Sequence, residues 1–231
     1  MSRPQSGAAP RRGEFYELAL EGARSDRVVI LSENDWNDYT RDCVVVPFIR
    51  DAEARASVVR PRLDDELIAD CTVVTSIAQE DLGRRLGDCP ADVLAATATG
   101  VRTYFGIDDT LNPPRIRRPT GGRSGWWPRQ AEVHMATRIA PEAKWVTIVS
   151  EDESNVVLNN AVAARLTSVG PKRGRTRWEV PVRGGYVICT DLHAIPYSSF
   201  EQRPRISPLL PQLNRAERQE LAKRLAETLE L

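Results

Sequence analysis

The chain is short of the residues that metal centres and disulfide frameworks need. It has 2 His and 4 Cys in 231 residues. Cys43, Cys71, Cys89 and Cys189 never form a CxxC pair, so no ligand spacing for structural zinc is present and neither metal nor cofactor is expected. No apolar run approaches the ~20 residues of a spanning helix. Met1 to Arg12, dominated by Ser, Pro, Gly, Ala and Arg, lacks the apolar stretch of a secretory signal. These absences predict a cytoplasmic protein with reduced thiols, no membrane contact and an unstructured tail over residues 1–12. An excess of charge is also missing, with Lys+Arg 32 against Asp+Glu 32. A globally basic protein is excluded, and any nucleic-acid surface must be local.

What is present is ordinary globular composition, 41% hydrophobic and 28% charged, enough for a buried core. The length is about one and a half times a ~150-residue domain, which fits one large unit or two small ones. An internal repeat favours two. A gapless shift of 118 residues lays Val28-Val29-Ile30-Leu31-Ser32-Glu33 on Val146-Thr147-Ile148-Val149-Ser150-Glu151. The same shift sets Asn37 on Asn155, Val44 on Val162, Cys71-Thr72 on Cys189-Thr190 and Ile77 on Ile195.

Each copy reads as strands closed by a helix. Phe15 to Leu20, Val28 to Ser32, Cys43 to Ile49 and Leu67 to Ile77 are short β-branched or apolar runs between Gly, Asn and Asp clusters. Val93, Val101 and Tyr104 then recur at helical spacing, ended by Gly106. In the second copy Asn214 can cap a helix whose Leu221, Leu225 and Leu229 form one stripe. Between the copies, Pro113-Pro114, Pro119 and Gly121-Gly122 disfavour regular structure and mark a connecting stretch, Asp108 to Arg129, that carries Arg115, Arg117, Arg118, Arg123 and Arg129. Trp126-Trp127 is expected to open the first strand of copy two. The resulting division is a tail at 1–12, repeat 1 at 13–107, a linker at 108–125 and repeat 2 at 126–231.

These pieces resemble a known family. Arg12-Gly13-Glu14-Phe15-Tyr16 looks like the opening strand of MazF/PemK toxins, and Leu82-Gly83-Arg84-Arg85-Leu86-Gly87 with its helix looks like their closing segment. Lys144 to Asn155 and Arg165-Leu166-Thr167-Ser168 are similar to the MazF second strand and its Leu-Thr-Ser turn. Cys189-Thr190-Asp191-Leu192-His193-Ala194-Ile195-Pro196 is closer to a strand of the related CcdB toxins. The resemblance implies a mainly β fold with C-terminal helices, two SH3-like β-barrels forming a pseudo-dimer within a monomeric chain. It also implies a toxin of a type II toxin–antitoxin system that cleaves single-stranded RNA without metal and is held by an antitoxin protein.

The family places an Arg before its second strand and a Thr after its third. Here Lys144 stands at the Arg position, with Thr167 and Ser168 in the turn, and these three are the candidate catalytic residues. A cation beside the phosphate stabilises developing charge, and a hydroxyl or acid–base partner is needed near the attacking 2′-OH. The same register in copy one gives Asp26 and Ile49, so that copy is expected to be empty. Where many relatives carry an acid, both copies have Thr, at Thr72 and Thr190; Asp191 and His193 are the nearest substitutes, or an ordinary surface pair.

Arg27, Lys172, Arg173, Arg175, Arg177 and His193 are candidate RNA contacts, since cations meet phosphates and the Trp178 ring could stack on a base. A solvated hairpin tip is the plain alternative for the 172–178 run. At the level of function, the alternative is a catalytically degenerate relative that binds protein or nucleic acid, including a gyrase poison. A free aromatic-Gly-Ile ending would support the latter, but Phe105-Gly106-Ile107 lies in mid-chain.

Overall fold

The computed structural model describes residues 8–19, 25–50, 55–108, 128–136, 144–168, 176–200 and 212–231. The chain is mainly β, with two antiparallel sheets and a C-terminal helix. It divides into two compact units, one of Met1–Thr103 with Thr228–Leu231 and one of Tyr104–Glu227. Tyr104 to Ile107 therefore group with the second unit, and the last four residues with the first. Phe105 and Ile107 are buried, so they are core residues of the second unit.

In the first unit β1 (Glu14–Leu18), β2 (Arg27–Ile30), β3 (Asp42–Arg50), β4 (Leu67–Ala69), β5 (Thr75–Ala78) and β6 (Leu82–Asp88) are arranged β4-β3-β2-β1-β6, with β5 also on β3. The run Val28-Val29-Ile30 is buried on both faces, as is Cys43 to Val46 of β3. Continuous burial explains why these strands are unbroken β-branched runs rather than alternating ones. Val28, Ile30, Cys43, Val45 and Leu82 form one core cluster. Leu67 to Ile77, expected as one strand, is cut by a 3-10 turn at Cys71–Val73. Helix α2 (Ala91–Tyr104) follows the last strand. A Cβ on Gly100 would sit 2.8 Å from both Cys71 Sγ and the Val58 carbonyl, so only glycine allows this approach. A short helix, α1 (Asn34–Tyr39), buries Trp36 and Asn37.

The second unit holds β7 (Val133–Ala136), β8 (Lys144–Ile148), α3 (Asp152–Leu158), β9 (Asn160–Thr167), β10 (Glu179–Val182), β11 (Gly185–Pro196) and α4 (Arg215–Thr228), with strand order β10-β11-β9-β8-β7. Its core gathers Val146, Ile148, Ala161, Ala163, Ile195 and Phe200. Asn214 caps α4 reciprocally: its Oδ1 accepts from the Glu217 amide at 3.0 Å, and its own amide donates to Glu217 Oε2 at 2.8 Å. Leu221 and Leu225 are buried along the helix. Leu229 lies past its end and belongs to the first unit, so the expected three-leucine stripe is two residues long within α4. Trp126-Trp127, expected in a strand, and the connector beyond Asp108 lie outside the described residues.

The two units repeat a hydrogen-bond frame at the constant offset of 118. Ser32 Oγ donates to Asn37 Oδ1 at 2.6 Å and accepts from the Val44 amide at 3.0 Å, while Asn37 Nδ2 donates to the Pro10 carbonyl at 2.9 Å. Ser150 Oγ donates to Asn155 Oδ1 at 2.5 Å and accepts from the Val162 amide at 2.9 Å, while Asn155 Nδ2 donates to the Pro128 carbonyl at 3.3 Å. Buried polar groups are paired in this way because an unpaired one costs ~1–3 kcal/mol. The frame also ties down part of the expected tail. Pro10 is buried, and the Arg12 guanidinium donates to the Leu31 carbonyl and pairs with Glu230 at 3.1 Å, so Pro10 and Arg12 belong to the folded unit.

A half-buried carboxylate recurs at the same offset. Glu14 Oε2 accepts from the Arg11 amide at 2.7 Å and the Tyr16 hydroxyl at 2.9 Å. Glu132 Oε2 accepts from the Arg129 amide at 3.0 Å and lies 2.9 Å from His134 Nε2. Burial disfavours ionisation of both, but these hydrogen bonds outweigh it and hold both carboxyls below their ordinary range. Burial and the Glu14 bond push Tyr16 up to about 12.

Candidate functional site

The site is built on three neighbouring strands of the second unit. β8 pairs with β9 through Val146↔Arg165, Thr147↔Ala164 and Ile148↔Ala163. Carrying this register outward by two residues sets Lys144 opposite Thr167 at the open end of the ladder. Residues opposed across a ladder point to the same face, and alternate residues share it. Lys144, Arg165 and Thr167 therefore line one face, continuous with the buried Val146, Ile148 and Ala163. Lys144 and Thr167 are half-buried and Ser168 is exposed.

On the far side of β9, Thr167 pairs with Tyr186 and Arg165 with Ile188. Next to that pair, a Cβ on Gly185 would come within 2.2 Å of the Thr167 carbonyl. Glycine at the start of β11 is thus a condition for the Thr167 turn to close.

The pairing of β11 with β9 then jumps. Ile188 faces Arg165, but the next partner of β9, Ala164, faces Leu192, leaving Cys189, Thr190 and Asp191 as a bulge of three residues. An odd insertion reverses which face each later residue occupies. Past the bulge, His193 pairs with Ala163 and so lies on the face of Arg165. Asp191 joins the two: its Oδ1 is 2.6 Å from His193 Nε2, and its Oδ2 accepts from Arg165 Nη1 at 3.0 Å.

Lys144, Arg165, Thr167, Asp191 and His193 are brought to one face. Arg165 is not singled out as a site residue by the sequence, and Asp191 is named there only with His193, as a substitute for the missing acid or an ordinary surface pair. Their signal is the two-residue spacing of Arg165-x-Thr167 and Asp191-x-His193, but the bulge that unites the pairs leaves no mark in composition. Thr190, where the sequence resemblance leads an acid to be sought, is 1% exposed, and Cys189 beside it is held well above the usual thiol range by burial.

Other expected RNA-facing residues are placed differently. Arg177 is exposed, with its guanidinium carbon 4.4 Å from the Trp178 ring centroid. Trp178 itself is 4% exposed, so it is a core ring covered by a cation and not a platform for a base. Lys172, Arg173 and Arg175 lie outside the described residues. Arg27 is exposed on β2 of the first unit, 4.0 Å from Asp26. Among the described residues no group of three or more His, Cys, Asp or Glu is placed to hold a metal ion, and no helix is long and apolar enough to cross a membrane.

The first unit repeats the three-residue bulge. Phe48 faces Ala69 and Val45 faces Thr75, with the Cys71–Val73 turn in the gap. At the offset of 118, however, Lys144, Arg165, Thr167, Asp191 and His193 correspond to Asp26, Pro47, Ile49, Val73 and Thr75. The scaffold recurs and the chemistry does not.

No protein-family model and no curated protein sequence matches the chain. Solved structures do. An endoribonuclease from a mycobacterial species, in complex with its cognate antitoxin, is 20% identical, with a TM-score of 0.38 over 47% of this chain and 100% of that one. MazF in a MazE–MazF crystal structure from Deinococcus radiodurans is 15% identical, TM-score 0.38, over 46% of this chain and 99% of that one. The Mycobacterium tuberculosis toxin MazF-mt6 is 24% identical, TM-score 0.34, over 43% and 97% respectively. Each of these matches covers somewhat under half of this chain and nearly all of the other.

Proposed function

We propose that the chain is a tandem pair of MazF-like units and acts as the toxin of a toxin–antitoxin pair, cleaving single-stranded RNA without a metal ion. The observation that supports this reading is the β8–β9 register, Val146 opposite Arg165, which when carried outward by two residues brings together Lys144 and Thr167, the residues that the resemblance to MazF proteins singles out. Lys144 supplies a cation for the phosphate, and the hydroxyls of Thr167 and Ser168 supply hydrogen bonds to the sugar-phosphate backbone. Lys is a point charge without the bidentate fork of Arg, and Arg165 on the same face offers that fork.

The duplicated frame of Ser32–Asn37–Val44 and Ser150–Asn155–Val162 supports a fused pseudo-dimer that stays monomeric, since both halves of a self-complementary pair are then on one chain. The basic run at 172–177, with Arg27, provides phosphate contacts. The partner proposed is an antitoxin, as in the mycobacterial and Deinococcus complexes. The test is incubation of purified protein with single-stranded RNA in EDTA. Cleavage that a co-expressed acidic partner suppresses supports the reading. Binding without cleavage replaces it with that of a non-catalytic relative.

A further inference from the structure

We infer that His193 is the general base of this cleavage, with Asp191 as its positioning residue and Arg165 as a second phosphate-facing cation; the inference rests on the ribonuclease reading above. Metal-free cleavage must take a proton from the ribose 2′-hydroxyl. Neither Lys144, a cation, nor Thr167, a neutral hydroxyl, is suited to accept it. The acid position of relatives is filled by Thr190, which is buried and neutral. A base must therefore come from elsewhere on the same face, and the bulge of β11 delivers one.

The geometry is that of an oriented imidazole. Asp191 holds His193 Nε2 at 2.6 Å, which fixes the ring and leaves Nδ1 as the nitrogen able to accept a proton. Asp191 is itself held by Arg165 at 3.0 Å, so carboxylate, imidazole and guanidinium form one connected set. Arg165 spends Nη1 on Asp191 and has four further N–H donors for a phosphate. Its side chain is 41% exposed, and that of His193 is 20% exposed, so both reach solvent. Among the described residues, the charged and titratable groups that the registers bring to this face are Asp191 and His193 of β11, Arg165 of β9 and Lys144 of β8, together with the buried Glu179 of β10, opposite Ile188, and the buried His134 of β7, opposite Val146 and 2.9 Å from Glu132. The first unit has Val73 and Thr75 at the positions of Asp191 and His193, although it carries an insertion of the same length, there as a 3-10 turn.

In the step proposed, His193 Nδ1 takes the 2′-hydroxyl proton as the 2′ oxygen bonds to phosphorus. The bond from phosphorus to the 5′ oxygen breaks, and that oxygen takes a proton from the Lys144 ammonium. The products are a 2′,3′-cyclic phosphate and a 5′-hydroxyl, with nothing oxidised or reduced. Water then returns a proton to Lys144 and accepts one from His193.

The experiment measures cleavage of single-stranded RNA oligonucleotides in EDTA across pH for the full chain and its His193→Gln, His193→Gly, Asp191→Asn, Asp191→Glu and Arg165→Lys variants, each checked for folding by thermal melting. A general base contributes ~10²–10⁴-fold, so His193→Gln is expected to lose that factor in kcat with little change in KM, and to lose the acid limb of the pH profile. Added imidazole should restore part of the His193→Gly rate. Asp191→Glu and Arg165→Lys should retain more activity than Asp191→Asn. If the parent cleaves and His193→Gln keeps its rate and its acid limb, the inference fails while the ribonuclease reading stands. The same holds if His193→Gly is folded, inactive and not rescued. If the parent cleaves no RNA, both fall together.

Discussion

The two units of this chain share a skeleton and differ in what hangs on it. Ser32, Asn37 and Val44 make the bonds that Ser150, Asn155 and Val162 make, the carboxylates of Glu14 and Glu132 accept from equivalent amides, and both sheets carry a three-residue bulge. Even a strained position recurs: Gly13 has φ +81° and Ala131 φ +65°. Yet the five polar residues on the β8–β9–β11 face stand where the first unit has Asp26, Pro47, Ile49, Val73 and Thr75. The buried frame is costly to change in either unit, whereas side chains at the open end of a ladder change without unfolding it. The first unit is thus an internal control for the second.

The sharpest test of that contrast is Lys144→Ala against Asp26→Ala. Removing a donor that stabilises developing charge costs ~10²–10³ in rate, so Lys144→Ala should nearly abolish RNA cleavage, while Asp26→Ala should leave it at the parental rate. Equal rates for both would remove the proposed functional difference between the units. Next in size is the simultaneous change of Lys172, Arg173, Arg175 and Arg177 to Ala. For a single strand, every phosphate that a cation ceases to neutralise lowers the salt slope by ~0.7, so the slope of log affinity against log salt should flatten by about 3.

The shared frame is tested by Asn37→Ala and Asn155→Ala. Each leaves buried partners unsatisfied and should cost ~1–3 kcal/mol, read by urea unfolding; a large cost in one and none in the other would break the equivalence. The smallest effect is with acid. Because Glu14 and Glu132 titrate below their ordinary range when folded, each stabilises above the unfolded value of ~4.3 and loses that contribution as pH falls through the lower folded value. Glu14→Gln and Glu132→Gln should each flatten the fall in stability below about pH 4.

Much of the architecture was legible in the sequence. Val28 to Ile30 and Cys43 to Ile49 are strands because β-branched runs buried on both faces admit little else, and α4 begins at Asn214 because a capping residue and an acid three positions on satisfy each other's amides. Helices α1 and α3 were not legible. They are six and seven residues long and rich in Asn, Asp and Ser, which read as turns; Asn37 and Asn155 hold them through bonds to distant Ser and Pro. Lys144 and Thr167 could be picked out from the resemblance because both lie on regular ladder positions. Asp191 and His193 could be paired from their spacing, but Arg165 could not be joined to them, since it meets them only after the bulge reverses the alternation. Trp178 reads as a surface ring because it ends a basic run, yet it is buried, with the exposed Arg177 guanidinium 4.4 Å from its centroid.

The bulge makes spacing, not residue type, the quantity that β11 cannot vary. Deleting any one of Cys189, Thr190 or Asp191 would shift the strand by a single step and turn the buried Leu192 outward and His193 away from Arg165. Substitution at these positions costs one side chain; a frame change costs every residue through Pro196. A scan by single deletions along this unit should therefore find its deepest minimum at residues 189–191, even though Asp191 can be replaced without harm to the sheet. The Cys71–Val73 turn obeys the same arithmetic, which is why a gapless offset of 118 runs through both bulges.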